Sequence, residues 1–189
     1  MVTPLIAAAQ ALGFAQSCRD EHGELLRVLA RGVGAGAIGE TGTGCGVGLA
    51  WLAAGAAPGA RLVSIERDPA RAAAAAELFA TDPRVEVRLG DWRELHAHGP
   101  FDLLVLDGGG QGKGADPPLD PAAWLRPGGL IVMDDFTPCT TWPPTYEGRV
   151  DEARRYWLTH PDLLATQVNV APDAATLLAT YLPGLRAPR

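Results

Sequence analysis

Six carboxylates in this 189-residue chain stand where ligand chemistry can use them. Glu40 heads the glycine-rich "ETGTGCGVG", Glu66 closes "RLVSIE", Asp91 follows "RVEVRLG", Asp107 closes "FDLLVLD", and Asp134 and Asp135 close "GLIVMDD". Carboxylates accept hydrogen bonds from sugar hydroxyls and amino groups, and several of their oxygens together hold a hard divalent cation. Gly42, Gly44 and Gly46 follow Glu40 at every second place, so the backbone there can turn tightly and lie close to a ligand. The dinucleotide fingerprint G-x-G-x-x-G/A fails in both registers, its third place being Val47 or Leu49, and no Gly-Lys-Ser/Thr follows to make a phosphate loop. A carboxylate ahead of alternating glycines repels a pyrophosphate and suits a cationic amino group.

These residues need a scaffold that gathers strand ends. Short β-like runs alternate with helical ones, which predicts an α/β fold with a doubly wound, mostly parallel sheet and helices on both faces. "RDPARAAAAAELFA" predicts a helix with Asp68 as N-cap and Pro69 at its first position, ended by Asp82-Pro83. "FDLLVLD" and "GLIVMDD" are continuous apolar runs of the kind buried on both faces. "GVGAGAIGE" is too glycine-rich to be a strand by propensity and is placed as the first strand by context alone. Near the end, "EGRVDEARRYWLTH" predicts a helix, and "LLATQVNVA" and "ATLLATYL", separated only by Pro172 and Asp173, predict a C-terminal antiparallel hairpin. One domain over residues 1–189 is expected, with residues 1–33 as an N-terminal helical cap.

A formal charge of −6 and a single lysine, Lys113, exclude a broad basic surface for nucleic acid. Cys18, Cys45 and Cys139 form no CxxC pair, which predicts free thiols in a reducing compartment. No apolar run reaches the roughly 20 residues of a membrane span, so a cytoplasmic protein without a membrane partner is expected. A homodimer stays open.

"ETGTGCG", "SIERD", "GDW", "LDGG" and "RPGGLIVMDDF", in this order, resemble the motifs of class I S-adenosylmethionine-dependent methyltransferases. More narrowly they are similar to the catechol and caffeoyl-CoA type of small-molecule O-methyltransferase. The resemblance covers most of the chain and implies S-adenosylmethionine as cofactor. It puts Glu40, Gly42, Gly44, Gly46, Glu66, Asp91, Trp92 and Asp107 at that cofactor, with Glu66 on the ribose hydroxyls and Asp91 at the adenine amino group. It further implies Mg²⁺ or a similar divalent cation on Asp107, Asp134 and Asp135, with catalytic roles for Asp107 and Lys113. Asp135 stands where the family has Asn, and Lys113 lies six residues after Asp107, further than the family's lysine.

Ser17 and His22 are expected to line the cofactor site, where the family's N-terminal segment closes. "TPCTTWPPTYEG", with Trp142 and Tyr146, suits an aromatic or planar small-molecule acceptor. His96, His98 and His160 are expected at the surface. Two other readings stay open: a nicotinamide-dependent oxidoreductase on the same kind of sheet, and a non-catalytic S-adenosylmethionine-binding protein.

Overall fold

Continuous apolar strands need cover on both faces, and the chain supplies it. In a computed structural model, which describes residues 3–15 and 17–184, five parallel strands are β1 (Ala37–Thr41), β2 (Arg61–Glu66), β3 (Val85–Leu89), β4 (Phe101–Leu106) and β5 (Leu125–Phe136). Residues 1, 2 and 16 of the expected N-terminal cap lie outside the described residues. A two-stranded ribbon, β6 (Thr145–Tyr146) and β7 (Arg149–Val150), stands apart. β8 (Leu163–Ala171) and β9 (Ala174–Tyr181) form the expected antiparallel hairpin. The main sheet runs β3-β2-β1-β4-β5-β9-β8, with β9 antiparallel to β5. Strand order reverses between β1 and β4, and a ligand crevice opens at the carboxyl ends of such a pair.

Side-chain alternation divides the core in two. Leu62, Leu103, Val105 and Val132 join one apolar cluster with α1 (Pro4–Ala11), α2 (Asp20–Gly32) and α3 (Val47–Gly55). Their strand neighbours Val63, Leu104, Leu106, Ile131 and Met133 join a second cluster. That cluster also holds Trp124 of α5 (Pro121–Trp124) and Trp157 of α6 (Glu152–Thr159). Leu26 and Ala30 are buried in the first cluster, so α2 is part of the helical layer as well as a cover. The helix α4 (Pro69–Leu78) has Asp68 as N-cap, its side chain accepting from the amides of Ala70 and Arg71, with Pro69 at the start.

β1 forms against its propensity because β2 and β4 pair with it on both sides. Gly39 also leaves room for the Phe101 ring, which lies 2.8 Å from where a Cβ would stand. The helix expected over residues 147–160 is shorter. Glu147 and Gly148 take positive φ, 49° and 77°, and turn the chain between β6 and β7, so α6 starts only after Asp151. Asp151 accepts from the Arg154 amide as N-cap. Asp-Glu-Ala favours a helix from 151 onward, but the Glu-Gly turn before it breaks the helical run.

Candidate functional site

The turn after β1 is held open by contacts that only glycine permits. Gly42 has φ 85°, and a Cβ there would lie 2.4 Å from the Gly108 amide nitrogen, so β1 and β4 leave their ends almost in contact. The turn's own amides are used inside the protein: those of Gly42 and Thr43 donate to the Ile65 carbonyl, and that of Gly46 to the Thr43 carbonyl. The Gly44 amide donates to Glu66 Oε2 at 2.8 Å. Four amides of the turn are therefore committed within the protein and are not turned toward a phosphate.

Glu66 is buried at the end of β2, and its other oxygen accepts from the Asp68 amide and from Arg71 at 3.0 Å. Arg71 in turn stacks over the Phe14 ring, 5.0 Å from its centroid. Asp91 caps the short 3₁₀ helix Trp92–His98 in a capping box with Glu94, and the Arg93 amide first, with its guanidinium after, holds its carboxyl below the usual range. Gly42, Gly44, Glu66, Asp91, Trp92 and Asp107 line one cavity of about 690 Å³, as do Phe14, Ser17 and Arg71. Phe14 and Arg71 are walls that the sequence reading missed; the signal was "ERDPAR", which sets Arg71 one turn into a helix directly after Glu66. Gly46, which is the N-cap of α3, packs on Phe79 and lines no part of this cavity.

Glu40 departs from its expected place facing the ligand. It is 2% exposed, lies under the turn, and takes a hydrogen bond from Ser64 Oγ at 2.5 Å; Thr43 Oγ1 is 2.6 Å further along. Its Oε1 sits 2.6 Å from where a Gly48 Cβ would stand. Burial pushes its carboxyl up to about 8, against the opposing pull of the Ser64 hydroxyl. Alternation along β1 turns residue 40 toward α3, and sequence spacing alone does not show which way that is.

Asp107, Asp134 and Asp135 come together, one carboxylate oxygen of each lying within 4.8 Å of the others. Neighbours on a regular strand point to opposite faces, so Asp134 and Asp135 can share a site only if β5 is irregular. It is: the pairing with β9 shifts register between Met133 and Phe136, and Asp135 has φ 62°. Burial first, and then repulsion from Asp134 and Asp135, push Asp107 up to about 8, and burial likewise raises Asp135. Lys113 gives its Nζ to the carbonyl oxygens of Asp134 at 2.5 Å and Asp135 at 2.6 Å, and lies 3.9 Å from the Phe136 ring centroid. Partial burial lowers its pKa against the pull of both carboxylates. The residue is exposed, and its amine is engaged by these two carbonyls and the Phe136 ring.

Two further cavities adjoin the cluster. One, of about 260 Å³, is lined by Ser17, Cys18, His22 and the three aspartates. The other, of about 620 Å³, runs from Lys113 and Asp135 past Phe136 to Tyr146 and Val150. Trp142 lines none of these and is 66% exposed. Arg154, buried and missed from the sequence, ties the loop after β5 by donating to the Thr137 carbonyl, Gln167 and Asp151.

Comparison with known families settles what this framework is. A family described as "Methyltransferase domain" matches residues 40–136, the stretch that carries the glycine turn, Glu66, Asp91, Asp107 and the paired aspartates. The chain belongs to this family. Solved structures agree on the fold of the methyltransferase. An O-methyltransferase from Bacillus cereus, in complex with SAH, is 24% identical at TM-score 0.69, over 94% of this chain and 88% of that one. The O-methyltransferase TomG from Streptomyces achromogenes, in complex with SAM, is 23% identical at TM-score 0.71, over 95% and 90%. Cofactor-bound Rv0187 from MTB is 25% identical at TM-score 0.69, over 94% and 87%. No curated protein matches the chain in sequence. Among the described residues no helix is long and apolar enough to cross a membrane.

Proposed function

We propose that this methyltransferase uses S-adenosylmethionine to methylate a hydroxyl oxygen of a small, planar acceptor, with a divalent cation held by Asp107, Asp134 and Asp135. The observation that carries the reading is the 690 Å³ cavity, which joins the glycine turn to Glu66, Asp91 and Asp107 while offering none of the four committed amides to a phosphate. That is a place for a nucleoside without a pyrophosphate. The Bacillus cereus and Streptomyces achromogenes neighbours hold such a ligand and are named O-methyltransferases, which supports the cofactor and the class of acceptor atom. Net charge −6 supports a small molecule over nucleic acid.

S-adenosylmethionine, when bound, supplies a methyl group already activated on a sulfonium, so alignment is the main task left to the protein. In this scheme Glu66 would hold the ribose hydroxyls, and Gly42 and Gly44 would let the backbone approach the cofactor. Asp91 and Trp92 take the adenine end. Asp107 stands where the cofactor cavity meets the aspartate cluster. The donor set fits a hard cation: three carboxylate oxygens lie together, and burial first, with repulsion from Asp134 and Asp135 next, raises Asp107 to about 8 despite the nearby Lys113. A cation there would supply Lewis acidity toward acceptor hydroxyls. Lys113 fixes the end of β5 through its two carbonyl contacts. Phe136, Tyr146 and Val150 give the neighbouring cavity an apolar wall for a ring.

Titration calorimetry with S-adenosylhomocysteine and with NAD tests the cofactor; binding of NAD alone would overturn the reading and revive an oxidoreductase. Methyl transfer to catechol-type acceptors, with and without Mg²⁺, tests the acceptor. Tight binding of S-adenosylhomocysteine without turnover on any acceptor would leave a non-catalytic binding protein.

A further inference from the structure

Among the described residues two buried side-chain nitrogens have no hydrogen-bond partner, Trp51 Nε1 and His22 Nδ1, and the second faces the aspartate cluster. His22 stands in the first turn of α2, its side chain 3% exposed, and its Nδ1 has no hydrogen-bond partner. That atom lies 3.4 Å from Asp134 Oδ1, in the 260 Å³ cavity that the three aspartates also line. A gap of 3.4 Å is longer than an ordinary N–H···O bond, so the ring nitrogen and the carboxylate face each other just short of contact. A buried polar nitrogen without a partner is costly, and no contact in this structure offsets that cost. The neighbouring Cys18 is no substitute donor, since its thiol goes to the Arg19 carbonyl.

The position of His22 in the chain makes this gap consequential. Arg19, three residues before it, is pinned to Asp173 in the β8–β9 turn at 3.1 Å. Phe14 and Ser17, a little earlier, line the cofactor cavity, and Ser17 and Arg19 line both cavities. The first turn of α2 and the segment ahead of it therefore touch the cofactor space and the carboxylate cluster together.

We propose that His22 is a positioning residue: when a divalent cation is held by the aspartates, its Nδ1–H closes onto Asp134 and fixes the start of α2 over the site. One oxygen of Asp134 then serves the cation and the other takes the imidazole donor, the arrangement by which outer groups orient a metal-binding carboxylate. Occupancy of the cation site is thereby coupled to the cover of the cofactor cavity. This inference rests on the cation in the proposed function and is independent of the assignment of the cofactor.

The test uses the full chain as wild type, His22→Ala and His22→Asn, the last because an Asn Nδ2 can donate from about where Nδ1 stands. Calorimetry with Mg²⁺ and Mn²⁺ gives affinity, and hydrogen exchange over residues 17–26 gives the closing. Wild type should gain protection there on adding either ion. His22→Ala should bind the ions about 10- to 100-fold more weakly and gain no protection, and His22→Asn should recover most of both. Equal affinity and protection in all three would overturn the proposal. So would nitrogen coupling in the pulsed paramagnetic spectrum of bound Mn²⁺, which would make His22 a direct ligand. Absence of any ion binding also overturns it, while S-adenosylhomocysteine binding in metal-free buffer judges the methyltransferase reading separately. Should His22→Ala fail to fold, wild type against His22→Asn, with and without ion, still decides the exchange result.

Discussion

The two sides of the crevice treat their charges in opposite ways. On the side of β1, β2 and β3, every carboxylate has a partner within the protein: Glu66 with Gly44, Asp68 and Arg71, Asp91 with Arg93, and Glu40 with Ser64. On the side of β4 and β5, three carboxylates crowd one another, two of them with raised pKa values, beside an imidazole nitrogen that has no partner. A framework whose polar groups are satisfied is rigid before ligand arrives, as a cofactor site needs to be. A cluster with unmet repulsion is stabilised by what it binds, which is how a cation site behaves.

That contrast can be broken by mutation. The largest effect is expected from Asp134→Ala, which should lower Mg²⁺-dependent methyl transfer by at least ~100-fold, about 3 kcal/mol, while S-adenosylhomocysteine still binds. Turnover equal to wild type would take the cation out of the scheme. Next, Glu66→Ala should weaken S-adenosylhomocysteine by about 10- to 100-fold, on the order of 1–3 kcal/mol for a lost charged hydrogen bond, with Asp91→Ala smaller because its carboxylate is half-exposed. Calorimetry reads both, and an unchanged Glu66→Ala affinity would refute the ribose assignment.

A third effect is thermal. Glu40 is raised from 4.5 to about 8, so the folded protein holds its proton more tightly than the unfolded chain does. The stabilisation this brings is complete below pH 4.5 and is lost as pH rises through about 8. Asp107, raised to about 8 as well, contributes over nearly the same window, so melting temperature without ligand should fall across it and Glu40→Gln should remove only part of the fall; parallel curves would show that Glu40 carries none of it. The smallest effect concerns the acceptor wall. Tyr146→Ala should raise the acceptor KM about 2- to 10-fold, some 0.5–1.5 kcal/mol for a lost ring contact. Trp142→Ala, at a residue that lines no cavity, should leave KM alone, and the reverse pattern would move the acceptor elsewhere.

Much of the fold could be read locally, because its signals are local. Asp68-Pro69 starts a helix through its own side chain and fixed φ, and the Pro172-Asp173 interval leaves room only for a hairpin turn. β1 was legible only through its neighbours, since pairing on both edges outweighs the propensity of its glycines. The Glu147-Gly148 turn was hidden by the helical composition around it.

At the site, residue types and order along the chain determined that carboxylates would gather at strand ends and that no phosphate loop was present. Those are properties of spacing. Which carboxylate faces a ligand was decided by the tertiary structure. Alternation buries Glu40 beneath the turn, while the irregular end of β5, with φ 62° at Asp135, turns two adjacent aspartates to one cluster. Lys113 could reach several partners from a flexible loop, and only packing against Phe136 and the carbonyls of Asp134 and Asp135 selected one. Sequence sets which groups a chain has and how far apart they lie along it; side-chain direction and burial depend on neighbours distant in sequence, and those only the folded chain supplies.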